Sequence, residues 1–179
     1  INAMNNFKII MKKILIIFIM AFLTYSCNHK KEVSSINPVN WKTRTINFTL
    51  SDSLIQGSTY LSVYSQIYDQ SEHRTFDLTV TVSMRNTNKQ DTIYIDKAEY
   101  FDTKGKSIRT YFTETIYIAP METIEIVIDE IDQEGGTGAN FLFDWRSHSK
   151  INEPLFEGVM ISTSGQQGLS FTTIGKRIN

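Results

Sequence analysis

An acidic loop at residues 129–136 has part of the spacing of a calcium-binding loop. Glu130, Asp132 and Glu134 take its first, third and fifth positions, and Ca²⁺ prefers such carboxylate ligands. The closing carboxylate at the twelfth position is missing, because Phe141 stands there. The alternative is an acidic, solvated turn between two strands. Calcium is thus the one candidate cofactor that the sequence offers.

The three histidines, His29, His73 and His148, lack the close spacing of transition-metal ligands. His148 lies near Ser147 and Asp144, but neighbours on a strand point to opposite faces and do not form a triad. There is no Gly-x-Ser-x-Gly motif, which is the usual sequence signature of a serine nucleophile in a hydrolase. The sequence therefore predicts surface histidines and no catalytic residue.

Two further chemistries find little support. The glycines of residues 135–138 could offer amides to a phosphate, but a phosphate-binding loop continues into a helix, and here a strand pattern follows. Glu153 and Glu157 are available as an acid and base pair. No spacing in sequence places two carboxylates across a glycan cleft, so they do not identify a glycosidase.

Polar loops are the remaining candidates for function, because binding residues often lie on loops held by a rigid scaffold. If these loops meet at one end of the fold, they form a recognition surface for a protein or glycan. The alternative is that these residues only form turns. The candidate binding residues are Gly136, Asn140, Asn152, Glu153, Gln166 and Gln167.

Cys27, the one cysteine of the chain, follows a targeting pattern. Two lysines after Met11 precede the apolar run at residues 14–23, as in the basic and apolar regions of a signal peptide. Ser26 before the cysteine resembles a bacterial lipobox, although Thr24 stands where leucine is usual. A membrane span needs about 20 apolar residues, and this run is about half as long. We therefore expect Cys27 to carry lipid and to anchor the chain in a membrane.

These features divide the 179 residues into three parts. The initiator is Met4 or Met11, so the first ten residues include candidate upstream residues. Asn28 after the cysteine, where aspartate is absent, permits sorting to the outer membrane. We expect the periplasmic side of that membrane or the cell surface. The parts are a signal peptide at 1–26, the lipidated cysteine with a flexible tether at 27–40, and one domain at 41–179.

The charge of the expected mature part argues against nucleic-acid binding. Three of the 18 basic residues lie in the first 26 positions, which leaves 15 against 19 acidic residues and a net charge of −4. Phosphate backbones require a dense basic surface, which this composition does not provide. With a single cysteine there is also no internal disulfide, so packing and sheet hydrogen bonds must stabilise the domain.

The apolar period from Trp41 onward is two, which is typical of β-strands that cover one side of a core. In residues 92–101 this period slips by one near Asp96 and Lys97, which predicts a β-bulge. Gly105 closes a predicted hairpin turn. Further strands are predicted at 43–50, 59–68, 76–85, 108–118, 123–128, 141–146, 155–163 and 169–174. We expect an all-β, immunoglobulin-like antiparallel sandwich of eight or nine strands, with a small barrel as the alternative.

Several segments of the second half resemble a family of bacterial exported proteins known as domain of unknown function 3124. The segments are 76–87 (FDLTVTVSMRNT), 100–106 (YFDTKGK), 135–145 (GGTGANFLFDW), 152–154 (NEP) and 165–171 (GQQGLSF). The resemblance covers roughly residues 57–177. It implies an envelope location and brings no activity, ligand or catalytic residue.

The sequence as a whole favours a non-catalytic binding or accessory module of the cell envelope, which presents polar loops to a protein or glycan. A purely structural envelope protein is the second reading. The third is an enzyme with an unrecognised site that acts on glycan. Fold class alone does not distinguish the three.

Overall fold

The alternating pattern forms twelve strands in the part of the chain that this computed structural model describes, which is Met11 and residues 40–163 and 168–179. Two 3-10 helices, Trp41–Arg44 and Gly136–Gly138, accompany the strands. The strands are β1 Ile55–Ser62, β2 Gln66–Asp69, β3 Ser71–Asp77, β4 Thr79–Arg85, β5 Ile93–Phe101, β6 Ser107–Thr110, β7 Ile116–Ile118, β8 Thr123–Ile128, β9 Asn140–Ser147, β10 Leu155–Ser162, β11 Leu169–Ile174 and β12 Lys176–Arg177.

The strands form two main antiparallel sheets and one separate hairpin. The larger sheet has the order β12-β1-β9-β5-β6, and β7 also pairs with β5. The smaller sheet has the order β11-β10-β4-β8, while β2 and β3 pair only with each other. The prediction of an antiparallel β-sandwich is confirmed. The described strands do not close into a barrel, so that alternative is wrong.

The core lies between the two main sheets and is dominated by aromatic rings. Phe143 of the larger sheet stacks on Phe156 of the smaller sheet, with ring centroids 4.2 Å apart. Phe143 also stacks on Phe141, and Trp145 is buried as predicted. Each fully buried ring of this size contributes about 1.5–3 kcal/mol to folding. The packing of these rings contributes stability to a domain that cannot form an internal disulfide.

The predicted bulge is present in β5. Its register with β9 shifts between Ile95 and Lys97, so Asp96 is the extra residue. Before the bulge Tyr94 faces outward beside the buried Ile95, and after it Glu99 faces outward beside the buried Tyr100. The bulge therefore keeps one apolar face on the core along the whole strand.

Strand boundaries differ from the prediction where an irregular segment interrupts a predicted strand. The predicted strand at 108–118 is divided into β6 and β7, and the one at 59–68 into β1 and β2, which raises the number of strands. The predicted strand at 43–50 is wrong. That segment begins in a 3-10 helix and contributes a single bridge, between Thr45 and Ile116.

Candidate functional site

The outer faces of the two main sheets differ in their aromatic content. Tyr60, Tyr94, Phe101 and Tyr117 point outward from the larger sheet, because each alternates with buried neighbours or lies opposite an outward residue. The outward positions of the described strands of the smaller sheet carry no aromatic residue. We call the outer surface of the larger sheet, with these four residues, the aromatic face.

Two rings of the aromatic face are well exposed. The exposed fraction is 41% for Tyr60 and 36% for Tyr117. Phe48, which is 61% exposed, meets Tyr94 edge to face with ring centroids 6.5 Å apart. The exposure of aromatic rings to water is unfavourable in free energy, and a flat group of exposed rings marks an interaction surface.

A shallow cleft of about 450 Å³ borders this face near Phe48. Its lining includes residues 45–48 and Leu50, together with Glu114 and Arg146. Arg146 lies opposite Tyr94 in the ladder between β9 and β5, so the cleft opens onto the aromatic face. The aromatic face thus continues into this shallow cleft, which has polar residues in its lining.

The charged side chains between the rings already have hydrogen-bond partners on the same face. Asp144 accepts a 2.5 Å hydrogen bond from the hydroxyl of Ser58 on the neighbouring strand. Arg146 Nε donates to Asp96 Oδ2 at 2.7 Å, and Thr115 donates to the other oxygen of Asp96 at 2.8 Å. These bonds fix the carboxylates and the guanidinium in one geometry.

A second polar group lies on the same face beside Phe101. Glu99 is paired with Lys97 and accepts a 2.6 Å hydrogen bond from Ser107. The hydrogen bonds from Lys97 and Ser107 lower the pKa of Glu99 below its usual value. The face therefore offers hydrogen-bonding groups that are held in fixed positions.

The predicted loop residues are not brought together. Gly136 and Asn140 lie at the end of the sandwich where β9 begins, and Asn140 pairs with Phe101 on the aromatic face. Asn152 and Glu153 follow the opposite end of β9. Seven residue steps along this strand separate the two ends by roughly 23 Å. Gln166 and Gln167 lie outside the described residues.

The glycine loop at Gly136 has a structural role. Gly136 adopts a φ of 70°, a left-handed conformation that favours glycine. A Cβ atom on Gly135 would come within 1.9 Å of the hydroxyl of Tyr100. The amide of Gly138 donates to Thr103 Oγ1 at 3.0 Å, and that of Gly136 donates to the carbonyl of Gln133. Two amides that a phosphate would need are therefore already used.

The main chain at Asn152 is held by a buried asparagine. Asn88 accepts a hydrogen bond from the Asn152 amide and donates one to the Asn152 carbonyl, at 2.8 and 2.9 Å. Asn86 holds Asn88 in turn and also caps the carbonyls of Ile118 and Ala119. Asn152 therefore belongs to a turn whose main chain is fixed by Asn88, and this gives it a structural role.

The carboxylates of the candidate calcium loop face a cation of the protein itself. Arg109 donates to Asp132 at 2.9 Å and contacts Glu134 at 3.3 Å. The side chain of Asp132 has no exposed area, and that of Arg109 is 15% exposed. Within the described residues no group of three or more His, Cys, Asp or Glu side chains could hold a metal ion. Calcium would have to displace the guanidinium, so this loop does not fit it.

The remaining candidate catalytic groups are dispersed. Glu153 is paired with Arg177, and Glu157 lies 2.5 Å from Arg85. The hydroxyl of Ser147 is buried on the inner side of its strand, where it has no partner among the described groups, while Asp144 binds Ser58 on the outer side. No triad or carboxylate pair is assembled among these side chains.

Sequence reasoning missed the aromatic face, although its signal was present. The search for chemistry followed polar loops, whereas Tyr60, Tyr94 and Phe101 occupy the positions that should be polar in a strand with one solvated face. An aromatic residue at an outward position is the deviation that could have identified the face. Of the predicted residues that the structure describes, only Asn140 lies on it.

Cys27 and the signal segment, apart from Met11, lie outside the described residues. Within the described residues there is no helix with the length and hydrophobicity needed to span a bilayer. A search of curated proteins and a search of solved structures each return no match. A family model described as protein of unknown function (DUF3124) matches residues 56–178. This match covers all strands of the sandwich, and the chain belongs to that family.

Proposed function

We propose that the domain is a non-catalytic glycan-binding module of the bacterial cell envelope, anchored through lipid on Cys27. The observation that carries the proposal is the aromatic face: the outward aromatic residues of the main sheets are confined to one sheet and lie among fixed polar groups. The signal-peptide pattern before Cys27 supports the envelope location.

The chemistry of the aromatic face fits a sugar. The faces of a pyranose ring carry C–H groups that pack on an aromatic ring, while its hydroxyls require donors and acceptors at the rim. Tyr60 provides an exposed ring, and Asp144 and Asn140 provide hydrogen-bonding groups one strand away. Arg146 is paired with Asp96 and Lys97 with Glu99, and the carboxylate of Asp144, which binds the Ser58 hydroxyl, can accept a further hydrogen bond from a sugar hydroxyl.

The aromatic rings are spaced for a chain of sugars. Tyr60 and Phe101 are separated by β9, so their strands lie about 10 Å apart, and they are offset by two residues along the sheet. Their separation is therefore roughly 12 Å, which is on the order of two sugar rings. An extended oligosaccharide could contact both residues at once.

Binding to defined glycans tests the proposal. The intact protein is titrated by calorimetry with soluble oligosaccharides of cellulose, xylan and mannan and with soluble peptidoglycan fragments. We expect one class to bind, and Tyr60→Ala to weaken its affinity about tenfold, as expected for a lost stacking contact of about 1–1.5 kcal/mol. Ile161→Ala is the matched control, because Ile161 is 42% exposed on the outer face of the smaller sheet.

Two results would contradict the glycan proposal. One is the absence of binding to every glycan class at millimolar concentration. The other is an equal loss of affinity in Tyr60→Ala and Ile161→Ala, which would show that the aromatic face is not the site. A protein adduct mapped to Tyr60 in living cells would instead identify a protein partner for the same surface.

The anchor is tested separately. Cells that express the full chain are labelled with an alkyne analogue of palmitate and fractionated. We expect label and membrane association for the unsubstituted chain, and loss of both for Cys27→Ala. Label that persists in Cys27→Ala would contradict lipidation at this residue.

A further inference from the structure

The exposed aliphatic residues have a different location from the exposed aromatic ones. Ile161, Leu169, Ile174 and Ile178 are 40–69% exposed. They belong to β10, β11 and the segment that follows β12. The other outer edge of the smaller sheet, β8, has no large hydrophobic residue in the exposed class. Two of these residues, Leu169 and Ile174, thus lie on β11 and Ile161 on the neighbouring β10, while the exposed Met121 and Ile131 lie in turns elsewhere.

The strand β11 is an edge without charge. Among the described strands it pairs with β10 alone. Proteins usually protect edge strands with charged residues, and the other edges follow this rule: β8 carries Glu125, β6 carries Arg109, and β12 is Lys176–Arg177. β7 is only three residues long, and the side that does not pair with β5 forms the bridge to Thr45. The six residues of β11, LSFTTI, include no charge and no proline.

We propose that β11 pairs antiparallel with β11 of a second copy of this chain, which joins the two smaller sheets into one eight-stranded sheet. A two-fold interface brings each residue close to residues of the same strand, so any charge in β11 would meet its own copy. The uncharged sequence removes that repulsion, which any of the charged edges would suffer. This inference does not depend on the glycan proposal, because it concerns the other sheet.

The side chains next to β11 suit such a joined sheet. Val159 lies opposite Thr172 and Thr81, and Thr81 lies opposite Val127, which gives one uncharged row across the outer face of the smaller sheet. In the pair of copies this row would double in length across the two-fold axis. Ile174 lies on the same outer face as Thr172 and would lose exposed apolar area against the second copy, whereas Leu169 lies opposite Ser162 on the inner face.

The oligomeric state of the intact protein in detergent tests the proposal, measured by sedimentation velocity over a range of concentrations. We expect a reversible dimer, and we expect Thr172→Lys to raise its dissociation constant at least about tenfold. Val127→Lys is the matched control, because it adds the same charge to the same cross-strand row at the opposite edge. A thermal melt of each variant verifies that the fold is retained.

A second measurement locates the interface. Nitroxide labels on Thr172→Cys should lie within about 10 Å of each other in the dimer. Labels on Val127→Cys should be more than about 30 Å apart, because three strand spacings separate the two positions in each copy. The unsubstituted chain, labelled in parallel, accounts for any signal from Cys27.

Three results would overturn the proposal: a monomer at every concentration, a dimer that Thr172→Lys leaves intact, or a dimer that the two lysine substitutions weaken equally. Strong spin coupling at position 172 with none at position 127 would support it.

Discussion

The indole of Trp145 lies over the backbone of Gly57, its cross-strand partner in β1. A Cβ atom at Gly57 would come within 2.4 Å of the ring carbon Cζ2, so only glycine fits beneath the indole. The ring nitrogen Nε1 donates a 2.9 Å hydrogen bond to Thr59 Oγ1, which fixes the ring in this orientation. Glycine at this position therefore serves close packing between adjacent strands.

Gly57→Ala is expected to destabilise the domain by about 2–3 kcal/mol, because the added methyl group overpacks a site with no free space. Urea denaturation followed by tryptophan fluorescence measures the change in the free energy of unfolding. Gly168→Ala is the matched control, since its nearest neighbour lies 3.8 Å from the added Cβ. Equal effects of the two substitutions would contradict the packing argument.

Arg109→Met is expected to cost about 3–5 kcal/mol, because it leaves the fully buried Asp132 without its cation. The double variant Arg109→Met/Asp132→Asn should recover part of this loss in urea denaturation. Arg74→Met, which removes a 58% exposed cation, should change the free energy of unfolding by less than about 1 kcal/mol. A small effect of Arg109→Met would show that the buried pair is not needed.

Calcium is expected to leave the thermal midpoint of the unsubstituted domain unchanged. Arg109 is already paired with both Asp132 and Glu134, and a divalent cation would meet its positive charge. Differential scanning calorimetry with added calcium chloride, and separately with EDTA, measures this directly. A thermal midpoint that rises with calcium and falls with EDTA would contradict this expectation and support calcium binding at the acidic loop.

Stability at alkaline pH should depend on Tyr100. Burial raises the pKa of Tyr100 to about 12 in the folded state, above an ordinary value of 10.0. Its contribution is therefore complete below pH 10 and is lost as the pH rises towards 12, because only the unfolded chain releases the proton in that interval. The loss amounts to about 3 kcal/mol over that interval.

Urea denaturation between pH 9 and 12 tests the role of Tyr100. The decline in stability should be shallower for Tyr100→Phe than for the unsubstituted domain. The pKa of Tyr111 is also raised by burial, so this variant should still lose part of its stability. Parallel declines in both proteins would assign the effect to other groups.

The sequence predicted best where a period of two meets a buried face. β8 has the predicted bounds, and the phase slip in β5 correctly indicated the bulge at Asp96. The sequence predicts one strand over residues 76–85, because Phe76 and Leu78 continue the apolar alternation. In the structure that run is divided: Phe76 lies in the separate hairpin, and Leu78 joins it to β4. The apolar alternation continues unbroken where the chain passes from the hairpin to the smaller sheet, so it does not reveal that change.

The candidate site was harder to predict for a different reason. Whether Asn140 and Asn152 lie together depends on the length and direction of β9, which separates them. The partner of a carboxylate can also be remote in sequence, as Arg109 is from Asp132. Contacts across the sandwich are set by pairing register, and one sequence without its pairings does not specify them.

The position of β1 constrains when the domain can fold. Both of its neighbours in the larger sheet, β9 and β12, come from the second half of the chain, and Ile55 pairs with Ser147. A chain emerging from its N-terminus therefore carries an unpaired first strand until β9 has appeared. Such distant pairings make folding slow. The first strand would stay unpaired for longer than the strands of a local hairpin, which suits the proposed export, since an exported chain is threaded through a translocon before it folds.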